Sequence, residues 1–230
     1  MILVPVKNLS SAKQRLASVL DQTTRTELAQ AMLTDVLEAI TAFGGDDVSL
    51  VTSDPFALDL ARNFKFGIIH DDSNISETDA IALATRVCES HGIDSVLVMP
   101  GDIPLINAAE VRAIYANAPA NGAVLVPSCD KRGTNAVLRR PASLFPLRFG
   151  NDSFMPHVSA AIATDRACVV LSLPAVALDI DTPGDLFQLA QMPGSKKSQV
   201  LARHYQFVEE QSSPRESPVS STGATVTAKR

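Results

Sequence analysis

The sequence predicts an α/β protein with a doubly wound, mostly parallel sheet. Short apolar runs alternate with longer segments of helical period along most of the chain, the pattern of strand–helix–strand units. The run Val96–Met99 contains no polar residue, as expected of a strand covered on both faces. Capping residues and glycines mark the ends of the helical segments. Apolar residues are 46% of the 230 and charged residues 20%, enough for one large core. One domain over residues 1–208 is expected, followed by a disordered tail over 209–230 that is rich in Ser, Thr, Pro and charge.

The same totals narrow the function. A net charge of −5 argues against broad electrostatic binding to nucleic acid. Cys88, Cys129 and Cys168 are odd in number, far apart and form no CxxC pair, which suits a reducing compartment and gives no zinc signature. The apolar start MILVPV is too short for a secretory signal and has no basic residues before it. No run reaches the length of a membrane span. A soluble, cytoplasmic protein without nucleic-acid or membrane partners is expected. Oligomeric state is left open, a homodimer being one option.

Ile2–Val6 is the first strand, and Lys7, Lys13 and Arg15 follow directly on it. The loop leaving a first strand commonly holds phosphates, although a solvated basic helix face has the same spacing. Thr24–Ile40 is a helix: Thr24 and Glu27 have capping-box spacing, and Leu28, Met32, Val36 and Ile40 share one face. Gly44-Gly45 ends it, and Val48–Thr52 is the second strand. Asp54-Pro55 opens a short helix over Phe56–Asn63, and Phe66–Ile69 is the third strand. Ser76 caps a helix from Glu77 to about His91, closed by Gly92. The acids Asp71, Asp72, Glu77 and Asp79 suit contacts to a ribose or base; the simpler reading is that they complement the helix dipole.

Pro100 ends the central strand Val96–Met99 and leaves Asp102 just past its carboxyl end, where open α/β sheets bind ligands. A carboxylate there suits a divalent metal on phosphates; a loop acid bonding its own turn looks the same. Asn107 and Glu110 open a helix to about Asn117, and Ala123–Pro127 is a strand. Asp130, Gly133, Thr134 and Asn135 form a donor-rich turn that would let amides and a hydroxyl approach an anion. A plain hairpin turn into a strand at Ala136–Arg139 accounts for them equally. Gly150 and Ser153 precede a helix over Met155–Thr164, an anion site at a helix start or a cap alone. After a strand at Ala167–Leu173, Asp179 and Asp181 lie two apart on a further strand and so face the same way. Together with Asp102 they would complete a metal site; a strand-end aspartate that only caps a turn accounts for either one equally. Thr182, Pro183 and Asp185 read as the start of the next helix. Residues 195–208 form a peripheral helix.

The order VPVK, AKQRL, PGDIPL, GTN, FGNDSF with a following histidine, then DIDTPGDL resembles the 2-phospho-L-lactate guanylyltransferase family over residues 1–189. The resemblance implies a glycosyltransferase-A-like nucleotidyltransferase fold. It implies GTP as donor, a small phosphorylated three-carbon acid as acceptor (2-phospholactate, phosphoenolpyruvate or 3-phosphoglycerate), and a place in coenzyme F-420 biosynthesis. Carried over by position, it puts Pro5, Val6, Lys7 and Lys13 at the nucleotide, and Mg²⁺ on Asp102 and Asp181, with Asp179 a further candidate. It puts Thr134, Gly150 and Ser153 on the acceptor, with Asn135 beside them, and makes Lys13, Arg15 and Asp102 the catalytic set. There are two departures from the family pattern. Arg132 stands where the first of two glycines is usual and is expected to touch an acidic acceptor or change which one fits; ISETDAI replaces the usual Leu-Asn pair near the nucleotide. The implied chemistry is in-line attack of an ionised phosphate on the α-phosphorus, which requires no general base. Rival readings are a sugar-phosphate or molybdopterin nucleotidyltransferase, and a non-catalytic GTP-binding module.

Overall fold

Strands flanked by helices on both sides must send alternate side chains into two separate cores, and these do. The computed structural model describes residues 1–212 apart from 46, 74 and 151, with side chains through Tyr205. Seven strands, β1 (Ile2–Pro5), β2 (Val48–Val51), β3 (Gly67–Ile69), β4 (Val96–Val98), β5 (Gly122–Pro127), β6 (Thr134–Arg140) and β7 (Ala167–Val170), form one sheet. Its order is β3-β2-β1-β4-β6-β5-β7. All are parallel except β6, which runs antiparallel to both neighbours. Ile2, Val4, Leu97 and Met99 feed one core, whereas Leu3, Val96 and Val98 feed the other. The predicted α/β class and mostly parallel sheet are therefore observed.

The first core is covered by α1 (Gln22–Phe43), α2 (Pro55–Phe64), α4 (Ala108–Ala116) and α7 (Pro183–Gln191); the second by α3 (Glu77–Ser90) and α5 (Phe154–Ile162). Several caps are those the sequence signals: Asp54, Ser76, Asn107 and Thr182 each accept a backbone N–H of the first turn, and Thr182 with Asp185 completes a capping box. The start of α1 requires correction. Its cap is Asp21, which accepts from Thr24 N, and the helix begins two residues before Thr24. Residues 178–181 also differ from expectation. They follow a short helix, α6 (Pro174–Ala177), and join no strand. Their backbone is instead held by bonds such as Ile180 N to the Asp102 carbonyl and Asp181 N to Asp185 Oδ2.

The last helix, α8 (Lys197–Ser212), docks on α1. Asp35, buried within α1, accepts Lys197 N, Ser198 N and Ser198 Oγ at 3.0, 2.9 and 2.6 Å. A side chain 162 positions earlier thus serves as the helix's cap. The helix runs through residues 209–212, which the sequence assigns to the tail; the rest of the expected tail, 213–230, lies outside the described residues. No helix among the described residues is long and apolar enough to cross a membrane.

Candidate active site

The strand order turns between β1 and β4, which lie side by side although their connections leave in opposite directions. The loops after them therefore flank a crevice at the sheet's carboxyl edge. The loop after β1 holds Lys13 in the left-handed conformation, φ 56°, an unusual backbone for lysine that functional sites tolerate. Its side chain, 7% exposed, sends the ammonium to Asp102 Oδ2 at 2.6 Å and Asp181 Oδ1 at 2.9 Å. Arg15 Nη1 reaches Asp181 Oδ2 at 3.4 Å. Burial alone would lower the Lys13 pKa, but Asp102 and Asp181 outweigh it and hold the pKa above its ordinary value. Burial pushes Asp181 the other way, yet Lys13 and then Arg15 keep it below the usual carboxylate range.

Asp179 lies apart from this bridge. Burial raises its pKa, with the nearby charges of Asp102 and Asp181 adding to the effect. Asn135 Nδ2 donates to Asp179 Oδ1 at 3.0 Å and also to the carbonyls of Val176 and Ala177. The Asn135 amide, expected beside the acceptor, thus braces the segment that carries the acids. Lys7 is paired as well: its ammonium meets the buried carboxylate of Asp71 at 2.6 Å.

Two adjoining chambers open here, of about 640 and 580 Å³. Pro5, Val6, Lys7 and Lys13 line the first. Thr134, Gly150, Ser153 and Asp179 line the second. Arg15, Glu77, Asp102 and Asp181 belong to both and form the passage between them. Glu77, for which the sequence leaves open a ribose or base contact and a helix-dipole role, is a half-buried carboxyl that lines both chambers beside the two acids. Burial first, then Asp102, raises its pKa to about 7, against the pull of Lys7 and Lys13.

The second chamber is walled by two turns. The β5–β6 hairpin turn is organised by Ser128, whose Oγ donates to Asp130 and accepts Gly133 N. The hairpin and the donor-rich turn are therefore one structure. The other turn ends at Ser153, which starts α5 without a side-chain cap bond; its Oγ instead faces Thr134 Oγ1 at 3.4 Å. Gly150 has φ 124°, a conformation for glycine. Arg132 also lines this chamber; its guanidinium makes a forked pair with Asp152, at 2.6 and 3.1 Å, and so clasps one turn to the other.

Buried His157 sits behind both turns. Nε2 accepts Arg148 N at 2.9 Å, and Nδ1 lies 2.9 Å from Thr134 Oγ1. Burial, and to a lesser degree the Arg139 charge, lowers its pKa to about 4, so the ring is neutral. Sequence reasoning noted this histidine in the motif but gave it no task.

Residues 1–221 match the family model described as Guanylyl transferase CofC like. The chain belongs to that family. A phosphoenolpyruvate guanylyltransferase from Rubrobacter xylanophilus is 35% identical over 192 residues, 83% of this chain and 93% of that one. Another, from Roseiflexus castenholzii, is 36% identical over 88% of this chain and 93% of its own length. A 3-phospho-D-glycerate guanylyltransferase from Colwellia psychrerythraea is 32% identical, over 82% and 90%. Among solved structures, a protein from Desulfovibrio desulfuricans assigned to the nucleotide-diphospho-sugar transferases superposes with TM-score 0.73 at 19% identity, over 91% of this chain and 96% of that one. A nucleotidyl transferase from Methanothermobacter gives 0.58 at 15% identity, over 90% and 97%. These structures establish the fold of this guanylyl transferase family member.

Proposed function

We propose that the protein transfers GMP from GTP to the phosphate of a small phosphorylated three-carbon acid and releases pyrophosphate. The observation that carries this reading is the pair of chambers meeting at Asp102 and Asp181. GTP would occupy the first, against Lys7, Lys13 and Arg15, and the acid the second, against Thr134, Gly150 and Ser153. Their reacting phosphates would then meet in the passage. The names of the relatives, which specify phosphoenolpyruvate and 3-phospho-D-glycerate, favour this class of acceptor. A role in coenzyme F-420 biosynthesis, in the cytoplasm, belongs to the same proposal.

The acceptor phosphate is already ionised near neutrality, so attack on the α-phosphorus requires alignment and charge neutralisation more than proton transfer. Lys13 and Arg15 neutralise the triphosphate and the departing pyrophosphate. The Thr134 and Ser153 hydroxyls and the turn at Gly150 hold the acid. Asp102 and Asp181 suit Mg²⁺, since both are oxygen donors already converging on one cation, the Lys13 ammonium. Among the described residues no group of three or more His, Cys, Asp or Glu is arranged to hold an ion, so these two carboxylates are the residues that would hold it. When bound, the ion supplies charge stabilisation and a template for in-line transfer.

The test is to incubate the protein with Mg²⁺, each nucleoside triphosphate and each candidate acid, and to measure pyrophosphate. Release with GTP and one three-carbon phospho-acid is expected. Preference for a sugar phosphate, or GTP binding without pyrophosphate release, would overturn the reading.

A further inference from the structure

Thr134 is the first residue of β6 and its hydroxyl is buried at the back of the second chamber. A threonine hydroxyl both donates and accepts and ordinarily rotates to suit its neighbours. This one has neighbours that restrict it. Arg148 N is a backbone amide and can only donate, so the Nε2 atom it reaches at 2.9 Å carries no hydrogen. In a neutral imidazole the proton must then reside on Nδ1. That N–H points at Thr134 Oγ1, 2.9 Å away, and Ser153 Oγ donates to the same oxygen at 3.4 Å. With its lone pairs taken from behind, Thr134 has its own hydrogen left to present to the chamber.

We infer that His157 is a positioning residue of the acceptor site: its Nδ1–H fixes the Thr134 hydroxyl as a donor toward an anionic acceptor, while its Nε2 anchors the turn that carries Gly150. The inference rests on the guanylyltransferase reading above, and it adds a residue that touches neither substrate. A preset donor avoids the reorganisation that a free rotor would require when the acid arrives. One imidazole also holds two segments in register, since Thr134 lies at a strand start and Arg148 precedes the other turn. Phe149 stacks edge-on against the ring, with centroids 5.4 Å apart, which limits its rotation.

Two variants separate the two bonds. Asn places an amide near Nδ1, and Gln places one near Nε2. His157→Asn can still donate to Thr134, whereas His157→Gln keeps an acceptor for Arg148 and loses that donation. His157→Gln is expected to raise KM for the phospho-acid about tenfold, the effect of one neutral hydrogen bond, with KM for GTP unchanged. His157→Asn is expected to stay closer to wild type. In a Thr134→Val background His157→Gln should have no further effect on that KM, because the donor it sets is gone. An undiminished effect in that background, or equal rises in both substrates' KM, would overturn the assignment while leaving the guanylyltransferase reading intact. A wild-type protein that releases no pyrophosphate with any acid would overturn both. If the Gln variant does not fold, ¹⁵N NMR of the wild-type imidazole decides: a protonated Nδ1 is expected, and a protonated Nε2 refutes the inference.

Discussion

One ammonium, that of Lys13, bridges Asp102 and Asp181 inside the cleft, and removing any of the three leaves the others without that pairing. Asp102→Asn should lower turnover on the order of 10²–10³-fold, as losing a charged group at a phosphoryl-transfer centre does. The fold should survive, because the Asp102 side chain remains 32% exposed; a circular-dichroism melt beside the rate measurement checks both points. Gly150 gives a different kind of test. Its chain neighbours aside, no atom among the described residues lies within 4 Å of where its Cβ would be, so Gly150→Ala meets chiefly backbone strain, about 1–3 kcal/mol for such a conformation. A higher KM for the acid, with KM for GTP unchanged, is the expected result. Arg132 and Asp152 provide a third. If the guanidinium acts only as a clasp, Arg132→Ala and Asp152→Ala should weaken acceptor binding alike in calorimetry. If instead it serves the acid directly, Asp152→Ala should free it and tighten binding. The acids and cations of the site were legible because charged residues behind an apolar strand have few structural uses. His157 and Glu77 were not, because their meaning depends on neighbours 23 and 25 positions away, Thr134 and Asp102 respectively.

Among the elements, helix starts were the most readable feature, since capping is local chemistry over three or four residues. The exceptions have physical causes. Thr24 and Glu27 have capping spacing, but Asp21 is the stronger acceptor and lies one turn earlier. The LDID pattern of residues 178–181 mimics a strand's period of two. Its amides nevertheless bond to the Asp102 carbonyl and the Asp185 carboxylate, and it lines the cleft as irregular chain. Asp35 was invisible for a further reason: it sits on the apolar face of α1, where a buried acid makes sense only once α8 arrives. Asp35→Ala should destabilise the protein by about 2 kcal/mol, the upper end of a lost cap, with α8 becoming the first region to exchange its amides. Hydrogen exchange read by mass spectrometry would show whether the loss is local to α8.

For the molecule as a whole, the imidazole behind the second chamber ties stability to pH. In the native protein the His157 pKa falls from the ordinary 6.5 to about 4, chiefly through burial. Between those values the unfolded chain takes up a proton that the native ring refuses. Stability should therefore fall as pH drops from 6.5, and this contribution should level off below about 4. Urea titrations across that range, with His157→Gln lacking this component, test the sign. At this scale the fold class was plain from the alternation of strands and helices, whereas the sheet order was not, because pairing partners leave no local trace in sequence. The reversed β6 is the part that matters most. Running against its neighbours, it begins at the edge where the parallel strands end, so a tight hairpin delivers Thr134 straight into the cleft opposite Asp102. The turn that shapes the proposed acceptor chamber can therefore lengthen, shorten or exchange residues without disturbing the loop behind β1. A scaffold so divided can acquire a taste for a new acid while its choice of nucleotide stays the same.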